Sequence, residues 1–376
     1  MQPKAARNIS IEALRLVAVA GIAVFHTFQW TFQAVCTGLP EYAPLAAFPD
    51  SGLLGFINLL GCWANEVFFM ISGYFLITSA ARAWNGGATW TSQIQRTTQR
   101  LGKVILPTVF YCLVALAWST VVSPIPDIAL NTHYWYTLGL EFIWVYAATV
   151  FMAPWFGLAK SRLSQKSYTA TVIAVGILAF AVNGYLAAMG ARSAGEFSWL
   201  QKLMSAATYV VAFLIGGLLR DVTDVMDSDR AGALGMRPLV TVLVLTIILE
   251  GELSFTGNLT AMAVLSYKST SLISFALAAA SLLFAATRRS ASGNPRTAGA
   301  IVTLSTATLG FYVMQSLTSS LWRPVFNTLL ANILVSQNSP AAICIVTGTV
   351  ISIVFALALL IIDAARSLIV RKLKWQ

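Results

Sequence analysis

Long apolar segments recur along the whole chain of 376 residues, and only short polar breaks separate them. Most are long enough to cross a bilayer core, which takes about 20 apolar residues per helix. Hydrophobic residues make up 57% of the chain and charged residues only 10%, which leaves too little polar surface for a soluble globule of this length. The sequence therefore predicts an all-α fold, a polytopic membrane helix bundle.

Ten apolar segments define the predicted transmembrane helices. They cover residues 11–33, 53–79, 103–122, 133–158, 167–189, 201–219, 238–253, 266–287, 298–320 and 340–362. The seventh is short, so nine or eleven helices remain open, with the ambiguity between residues 238 and 287. The longest predicted loops are 34–52, 80–102 and 321–339. No repeat or linker divides the sequence, and we expect one integral-membrane domain over residues 1–376.

The distribution of Lys and Arg predicts the orientation of the bundle, because cytoplasmic loops collect these residues. With the N-terminus inside, 20 of the 24 fall on the cytoplasmic side. The other side holds only Arg192, Lys202, Lys268 and Arg323. We therefore predict that both termini are cytoplasmic. This topology and attraction to anionic lipid account for the net charge of +10, so we expect no nucleic-acid partner.

Two groups of residues have the chemistry of metal ligands but not the spacing. The stretch "DVTDVMDSDR" contains Asp221, Asp224, Asp227 and Asp229. It lacks the glycine and terminal glutamate of a calcium loop, so we interpret it as a solvated loop. The cysteines are Cys36, Cys62, Cys112 and Cys344. They form no CxxC pair, so we interpret them as packing residues and expect no metal site.

An arginine and a histidine stand eleven positions apart in the first apolar segment. At about 100° per residue, Arg15 and His26 fall on one helix face, with Val19 and Ile22 between them. The rise of roughly 16 Å puts Arg15 near the cytoplasmic surface and His26 at mid-membrane or beyond. Ionisable groups at this depth normally face a bundle interior or a wet cavity. A structural role stays open, in which Arg15 reaches lipid phosphate and His26 only bridges two helices.

Further polar residues cluster in the second segment, within "NEVFFMISGYFLI". Glu66 and Gly73 are seven positions apart and share a face, and the glycine permits close approach of another backbone. Ser72 is interpreted first as a packing residue, because a nucleophilic serine needs a neighbouring base.

A basic stripe follows in "RTTQRLGKVILP", where Arg96, Arg100 and Lys103 recur at helical spacing. It lies on the same side of the membrane as Arg15. The stripe is explained either by anchoring at the cytoplasmic surface or by a phosphate-rich ligand that arrives from the cytoplasm.

Together these stretches resemble acyltransferase family 3, the membrane-bound bacterial acyltransferases that include O-antigen O-acetyltransferases. The motif residues that match are Arg15, His26, Phe68, Phe69, Ser72, Gly73, Tyr74, Arg96, Arg100 and Pro107. Weaker similarities lie at residues 136–146, which contain Glu141, and at 307–316. Many members carry a histidine where this chain has Gln315, so no role of that histidine transfers. The chain resembles the form without an additional extracytoplasmic domain.

The resemblance implies transfer of an acyl group, usually acetyl from cytoplasmic acetyl-CoA, to a hydroxyl of an envelope or lipid-linked glycan. The implied location is the inner membrane of a bacterium. The resemblance also implies roles for single residues. His26 acts as general base or acyl carrier, and Glu66 or Glu141 orients its imidazole or binds sugar hydroxyls.

The donor is acyl-CoA, and its phosphates require cationic partners. The candidate donor-binding residues are Arg15, Arg96, Arg100, Lys103, Ser72 and Tyr74. Two alternatives remain open at this point. One is a succinyl or other acyl donor, and the other is a glycan exporter or secondary transporter without chemistry of its own.

Overall fold

A computed structural model describes residues 8–126, 128–129, 139–190, 198–226, 228–266, 271–288, 294–336 and 340–373. Several residues used above for topology or metal binding lie outside these ranges: Lys4, Arg7, Arg192, Asp227, Lys268, Arg289 and Lys374. So do the first residues of the fourth predicted span, 133–138. The side chains of Asp229, Arg230 and Arg371 are likewise outside the description.

The described chain is helical, and no β-strand occurs within these ranges. The first helices are α1 (Ile9–Cys36), a 3₁₀ helix (Pro40–Leu45), α2 (Asp50–Asn85), α3 (Trp90–Val121) and α4 (Glu141–Arg162). They are followed by α5 (Gln165–Gly190), α6 (Ser198–Val225), α7 (Ser228–Phe255), α8 (Leu259–Leu265) and α9 (Leu272–Thr287). The last are α10 (Pro295–Ser305), α11 (Thr308–Leu317), α12 (Ser319–Ser336) and α13 (Pro340–Leu373).

The prediction of an all-α membrane bundle is confirmed. Among the described residues, eight helices are long and apolar enough to cross a membrane, namely α1 to α7 and α13. The helices α10 and α11 together would make a ninth span, bent by 43° at a short break. The eighth predicted span corresponds to α9, which begins at Leu272 rather than at residue 266 and has 16 residues. The seventh span is longer than predicted, since α7 begins at Ser228 and continues through Pro238.

Two predicted loops are largely helical. The chain between α2 and α3 turns within residues 86–89, where Gly87 has a φ of 78° and the Thr89 side chain caps α3 by accepting from the Ser92 amide. The basic stripe therefore lies on α3 itself. The predicted outer loop 321–339 contains most of α12, whose apolar residues Trp322, Leu330 and Leu334 are buried. It was missed because Arg323, Asn327 and Asn332 interrupt the apolar run of α12.

The helix α2 lies at the centre of the bundle and packs against α1, α4, α6, α7 and α9. Its contact with α6 depends on a reciprocal pair of glycines. A Cβ on Gly73 would overlap the carbonyl group of Phe213, and a Cβ on Gly216 would overlap that of Met70. The prediction that Gly73 allows another backbone to approach closely is thus confirmed.

One end of the bundle carries a network of ion pairs that joins the ends of several helices. Lys160 on α4 donates to Asp221 on α6 at 2.5 Å, and Arg82 on α2 lies 3.2 Å from Asp224. Both aspartates lie in the last turns of α6, so the prediction of a solvated loop is wrong for them. We call this end, which also holds Arg15, the basic end.

Candidate functional site

A cavity of about 330 Å³ opens between α1, α2, α3, α4, α10 and α11. Arg15 on α1 and Lys103 on α3 supply its positive charge. Apolar side chains, among them Ile22 and Phe68, form much of the remaining wall, and Tyr312 on α11 supplies a hydroxyl group. The cavity thus joins a basic region to a largely apolar chamber inside the bundle.

The wall contributed by α1 is the stripe inferred from helical spacing. Arg15, Val19 and Ile22 all line the cavity. Arg15 Nη1 lies 2.9 Å from Glu12 Oε2, one turn earlier, which holds the guanidinium beside the cavity. This placement favours a binding role for Arg15 over simple contact with lipid phosphate.

His26 lies one turn beyond Ile22, and it is not among the residues that line the cavity. Its Nδ1 lies 3.2 Å from Nη2 of Arg323 on α12. Gln29 also hydrogen-bonds the imidazole, and the ring of Phe25 packs 5.0 Å from it. The histidine is therefore held on several sides, roughly 16 Å along α1 from Arg15 and in the middle part of that helix.

Sequence analysis missed Arg323 as a site residue. Its guanidinium lies 5.5 Å from the ring centroid of Trp322, whose indole N–H donates to the Gln315 carbonyl group at 2.9 Å. The available signal was charge: Arg323 is one of only four cations on the charge-poor side of the predicted topology. Gln315 itself is buried, and in this contact its backbone carbonyl group serves as the acceptor for Trp322.

Tyr312 connects the cavity with the His26–Arg323 pair. It lines the cavity, packs against Phe142 at a centroid distance of 4.7 Å, and interacts electrostatically with both Arg323 and Glu141. Glu141 is the exposed first residue of α4. The fold therefore brings Glu141 into the neighbourhood of Tyr312, and its role at the site stays a prediction from the resemblance.

Glu66 is fully buried on α2 and faces α9, where Ser274 lies beside its carboxyl group. The described contacts of His26 lie instead on α1 and α12. The structure therefore provides no contact through which Glu66 would orient the imidazole, and that role stays a prediction from the resemblance.

The two remaining residues of the second motif point to different neighbours. Ser72 lines the cavity, donates to the Phe68 carbonyl oxygen at 2.9 Å and lies 2.8 Å from the Tyr146 hydroxyl. Because a serine has one hydroxyl proton, Tyr146 is the donor in the second bond. Tyr74 instead bonds Thr223 on α6 at 2.8 Å, outside the cavity lining.

The basic stripe on α3 reaches the cavity at one residue. Lys103 lines it, whereas Arg100 Nη2 lies 3.4 Å from Ser79 Oγ on α2, and Arg96 is exposed. The structure thus brings Lys103 next to Arg15. Arg96 and Arg100 do not line the cavity.

A second, larger groove of about 810 Å³ lies between α3, the α10–α11 break and α13, and shares Lys103, Thr306 and Leu309 with the cavity. Arg366 and Asp363 on α13 also line it. The two cavities therefore adjoin at Lys103, Thr306 and Leu309, at the basic end.

The break in the ninth predicted span lies where the two cavities meet. The helix α11 begins at Thr308, and no side chain caps it. The first amides of a helix carry partial positive charge and lack intrahelical acceptors, which suits anionic ligands. Broken helices at membrane depth are typical of positions where backbone groups line a cavity.

The fold and these cavities define an integral-membrane protein with an internal small-molecule site that opens toward a basic end. Residues 8–359 match the family model described as an acyltransferase domain. Because the match covers nearly the whole chain, the protein belongs to acyltransferase family 3 and is a membrane acyltransferase. No curated protein and no solved structure matches the chain.

Proposed function

We propose that the protein transfers an acetyl group from cytoplasmic acetyl-CoA to a hydroxyl group of an envelope or exported glycan, and that the transfer takes place at His26. The observation that carries the proposal is the cavity that runs from Arg15 and Lys103 to Ile22, one turn before His26 on the same helix. The family match supports acyl transfer in general. The donor, the acceptor and the histidine role are our proposal.

The charge and the volume of the two adjoining cavities suit an acyl-CoA. Its phosphates carry several negative charges, and Arg15 and Lys103 line the cavity from which they would approach, with the Arg366–Asp363 pair in the neighbouring groove. The apolar chamber beyond Lys103 suits the uncharged pantetheine arm and the thioester. The unsatisfied amides at the start of α11 add a favourable field for an anion at the junction.

His26 suits the chemistry because a sugar hydroxyl is a poor nucleophile until a base accepts its proton. A neutral imidazole accepts a proton near neutral pH, and it also serves as a transient acyl carrier. Both routes end in the same products, a glycan ester and free CoA. Tyr312 lines the cavity and interacts electrostatically with Arg323, so the wall of the cavity extends to the neighbourhood of the His26–Arg323 pair.

The acceptor would arrive from the charge-poor end. The helix α12 contacts α1, α13 and the 3₁₀ helix on that side and carries Arg323 to His26. A glycan on the outer face would thus meet the acyl group close to α12. Positive charge is sparse on that side in the predicted topology, which is consistent with a largely neutral sugar acceptor.

Two alternatives differ from this proposal in substrate or in class. A succinyl or other short acyl donor uses the same cavity and the same histidine. A glycan exporter would have no use for acyl-CoA, and membership of an acyltransferase family favours the enzyme over the exporter.

The test is transfer of labelled acetyl from acetyl-CoA to cell-envelope glycan, in membranes that contain the wild type or a variant at equal protein levels. We expect labelled glycan with the wild type, no label with His26→Gln and strongly reduced label with Arg15→Gln. Arg82→Gln is the matched control, because Arg82 is an exposed arginine at the same end and does not line the cavity.

The possible outcomes distinguish the proposed function from its alternatives. If His26→Gln labels glycan as well as the wild type, His26 is not the reacting group. If the wild type transfers no acetyl group, succinyl-CoA and longer acyl-CoA donors are tested in the same assay, and failure of all of them contradicts the proposed function. Binding of a non-hydrolysable acetyl-CoA thioether then tells whether the protein recognises the donor at all.

A further inference from the structure

The contact between Arg323 and His26 determines which ring nitrogen carries the proton and which carries the lone pair. A guanidinium group has five N–H donors and no acceptor. Nη2 of Arg323 lies 3.2 Å from Nδ1, so in this contact Nδ1 must be the acceptor. A neutral imidazole carries one proton, and here that proton must sit on Nε2. The amide oxygen of Gln29, which also hydrogen-bonds the ring, is a suitable acceptor for it.

This arrangement is the reverse of the one found in serine hydrolases. There a carboxylate accepts from the Nδ1–H group and leaves Nε2 as the base. At His26 the neighbour of Nδ1 is a donor, so the lone pair of the ring belongs to Nδ1. It becomes available to accept a proton or attack a thioester when Nη2 moves away.

Arg323 also has unused hydrogen-bonding capacity at this point. Its Nε is buried and has no hydrogen-bond partner among the described residues. A buried donor without a partner is unfavourable, so such a group is a candidate for binding an oxygen atom of a ligand. Acyl transfer creates such an oxygen, because the thioester carbonyl becomes negatively charged when the hydroxyl group attacks it.

We propose that Arg323 holds His26 with Nδ1 as its reactive nitrogen and then binds the negatively charged acyl oxygen during transfer. The proposal rests on the acyltransferase function proposed above. Because Nη2 and Nδ1 lie 3.2 Å apart, an acyl group bound beside the pair is within reach of both residues. Its carbonyl oxygen would take the place of Nδ1 as the acceptor for Arg323, and the attacking hydroxyl group would face the Nδ1 that this exchange leaves free.

In direct transfer, every bond that forms is matched by a bond that breaks. Nη2 of Arg323 first leaves Nδ1, which frees the lone pair, and turns to the acyl oxygen. The glycan hydroxyl then gives its proton to Nδ1, its oxygen bonds to the carbonyl carbon, and the carbonyl π electrons move to the oxygen beside Arg323. When the carbonyl reforms, the carbon–sulfur bond breaks. The CoA thiolate takes the proton from Nδ1 and leaves as the thiol. His26 and Arg323 return to their starting state.

The first experiment reads the protonation of the ring in the resting protein and needs no substrate. The chain has two histidines, so ¹⁵N-histidine labelling in lipid bilayers gives two pairs of ring signals, one Nδ1 and one Nε2 for each, and His133→Gln assigns the pairs. We expect Nδ1 of His26 unprotonated and Nε2 protonated in the wild type, and a mixture of both tautomers in Arg323→Gln. A protonated Nδ1 in the wild type overturns the assignment.

The second experiment measures kcat and KM for acetyl-CoA. Loss of one donor to a developing negative charge lowers kcat about 10²–10³-fold, so we expect a loss of this size in Arg323→Gln with KM little changed. Arg323→Lys keeps the charge and should restore part of kcat. Lys202→Gln, which removes an exposed cation assigned to the same side, is the control.

Retention of wild-type kcat in Arg323→Gln overturns the role at the acyl oxygen. A failure of the proposed function is distinguishable, because a wild type that transfers no acyl group would still show the Nδ1 signal that the first experiment reads.

Discussion

Tyr111 donates a 2.7 Å hydrogen bond to Oδ1 of Asp363, and thereby joins α3 to α13 across 252 positions of the chain. Arg366 donates to the same oxygen at 2.7 Å from one turn further along α13. Asp363 is buried, and its carboxylate depends on these donors for the solvation that water would otherwise provide. The pair forms part of the wall beside the larger groove, so its stability supports the shape of that groove.

Removal of the Tyr111 hydroxyl should therefore destabilise the bundle. A hydrogen bond to a charged group contributes about 1–3 kcal/mol, and Tyr111→Phe removes this one while it keeps the ring. We expect a lower midpoint of SDS-induced unfolding in mixed micelles. Tyr185→Phe, at an exposed position of α5, is the control and should leave the midpoint unchanged. Equal midpoints for Tyr111→Phe and the wild type would contradict the contact.

The basic stripe on α3 should divide into residues of unequal importance for the donor. Lys103 lines both cavities, whereas Arg96 is exposed and outside them. A charge-assisted hydrogen bond to phosphate contributes about 1.5–3 kcal/mol, so Lys103→Gln should raise KM for acetyl-CoA about tenfold or more. Arg96→Gln should change it far less, because an exposed charge in water is strongly screened. The prediction fails if the two variants have the same KM.

The sequence was sufficient to predict the spanning helices and the face of α1 that carries Arg15, because both depend on local periodicity. Residues 14 to 26 have the 3.6-residue repeat of a helix, and the structure places Arg15, Val19 and Ile22 on one cavity wall. The neighbours of the Tyr74 and Glu66 side chains could not be predicted from local periodicity. Which neighbour each side chain meets depends on how α6 and α9 pack around α2, and no local pattern encodes that packing.

The partner of His26 could not be predicted from a local sequence pattern either. Arg323 lies 297 positions away on a helix that the apolar pattern did not reveal, since polar residues interrupt the apolar run of α12. The break between α10 and α11 was also hidden, because the apolar run of residues 298–320 continues through it. Long-range contacts and helix breaks depend on tertiary packing, which composition and spacing do not specify.

For the glycine pair between α2 and α6, we can predict whether substitution by alanine stabilises or destabilises the protein. At an exposed position inside a helix, replacement of glycine by alanine stabilises a protein by up to about 1 kcal/mol, because alanine has the higher helix propensity. At Gly73 and Gly216 the new methyl group would overlap a backbone carbonyl of the facing helix, and backbone must move at a cost of about 1–3 kcal/mol. Gly73→Ala and Gly216→Ala should thus lower the unfolding midpoint, whereas Gly184→Ala, with no neighbour within 4 Å, should keep or raise it.

The same variants should be tested in combination. Gly73 contacts Phe213 and Gly216 contacts Met70, one turn apart on the same pair of helices, so either methyl group forces the helices apart. Once they have separated, the second methyl group needs less additional movement. The double variant should therefore lose less stability than the sum of the two single losses. Strict additivity would indicate that each site adjusts by itself.

The ion pair of Lys160 and Asp221 should couple α4 to α6 more strongly than the surface pairs near it. Lys160 is 9% exposed at its side chain and donates to Asp221 at 2.5 Å, to Thr78 and to the Gly217 carbonyl group. Removing the carboxylate in Asp221→Asn leaves a largely buried ammonium group without its counter-charge, which is strongly unfavourable. We expect a clear loss of stability in this variant, and a smaller loss in Lys160→Met, whose side chain fills similar space without a charge.

A double-mutant cycle measures the pair itself. In Lys160→Met/Asp221→Asn neither charge is left alone, so part of the stability lost in Asp221→Asn should return, with a coupling energy of about 0.5–3 kcal/mol. The reference is Arg82→Gln, because Arg82 is 66% exposed in its 3.2 Å contact with Asp224 and such pairs contribute about 0–1 kcal/mol. A coupling energy near zero for Lys160 and Asp221 would mean that the other two acceptors and water satisfy the ammonium group without the carboxylate.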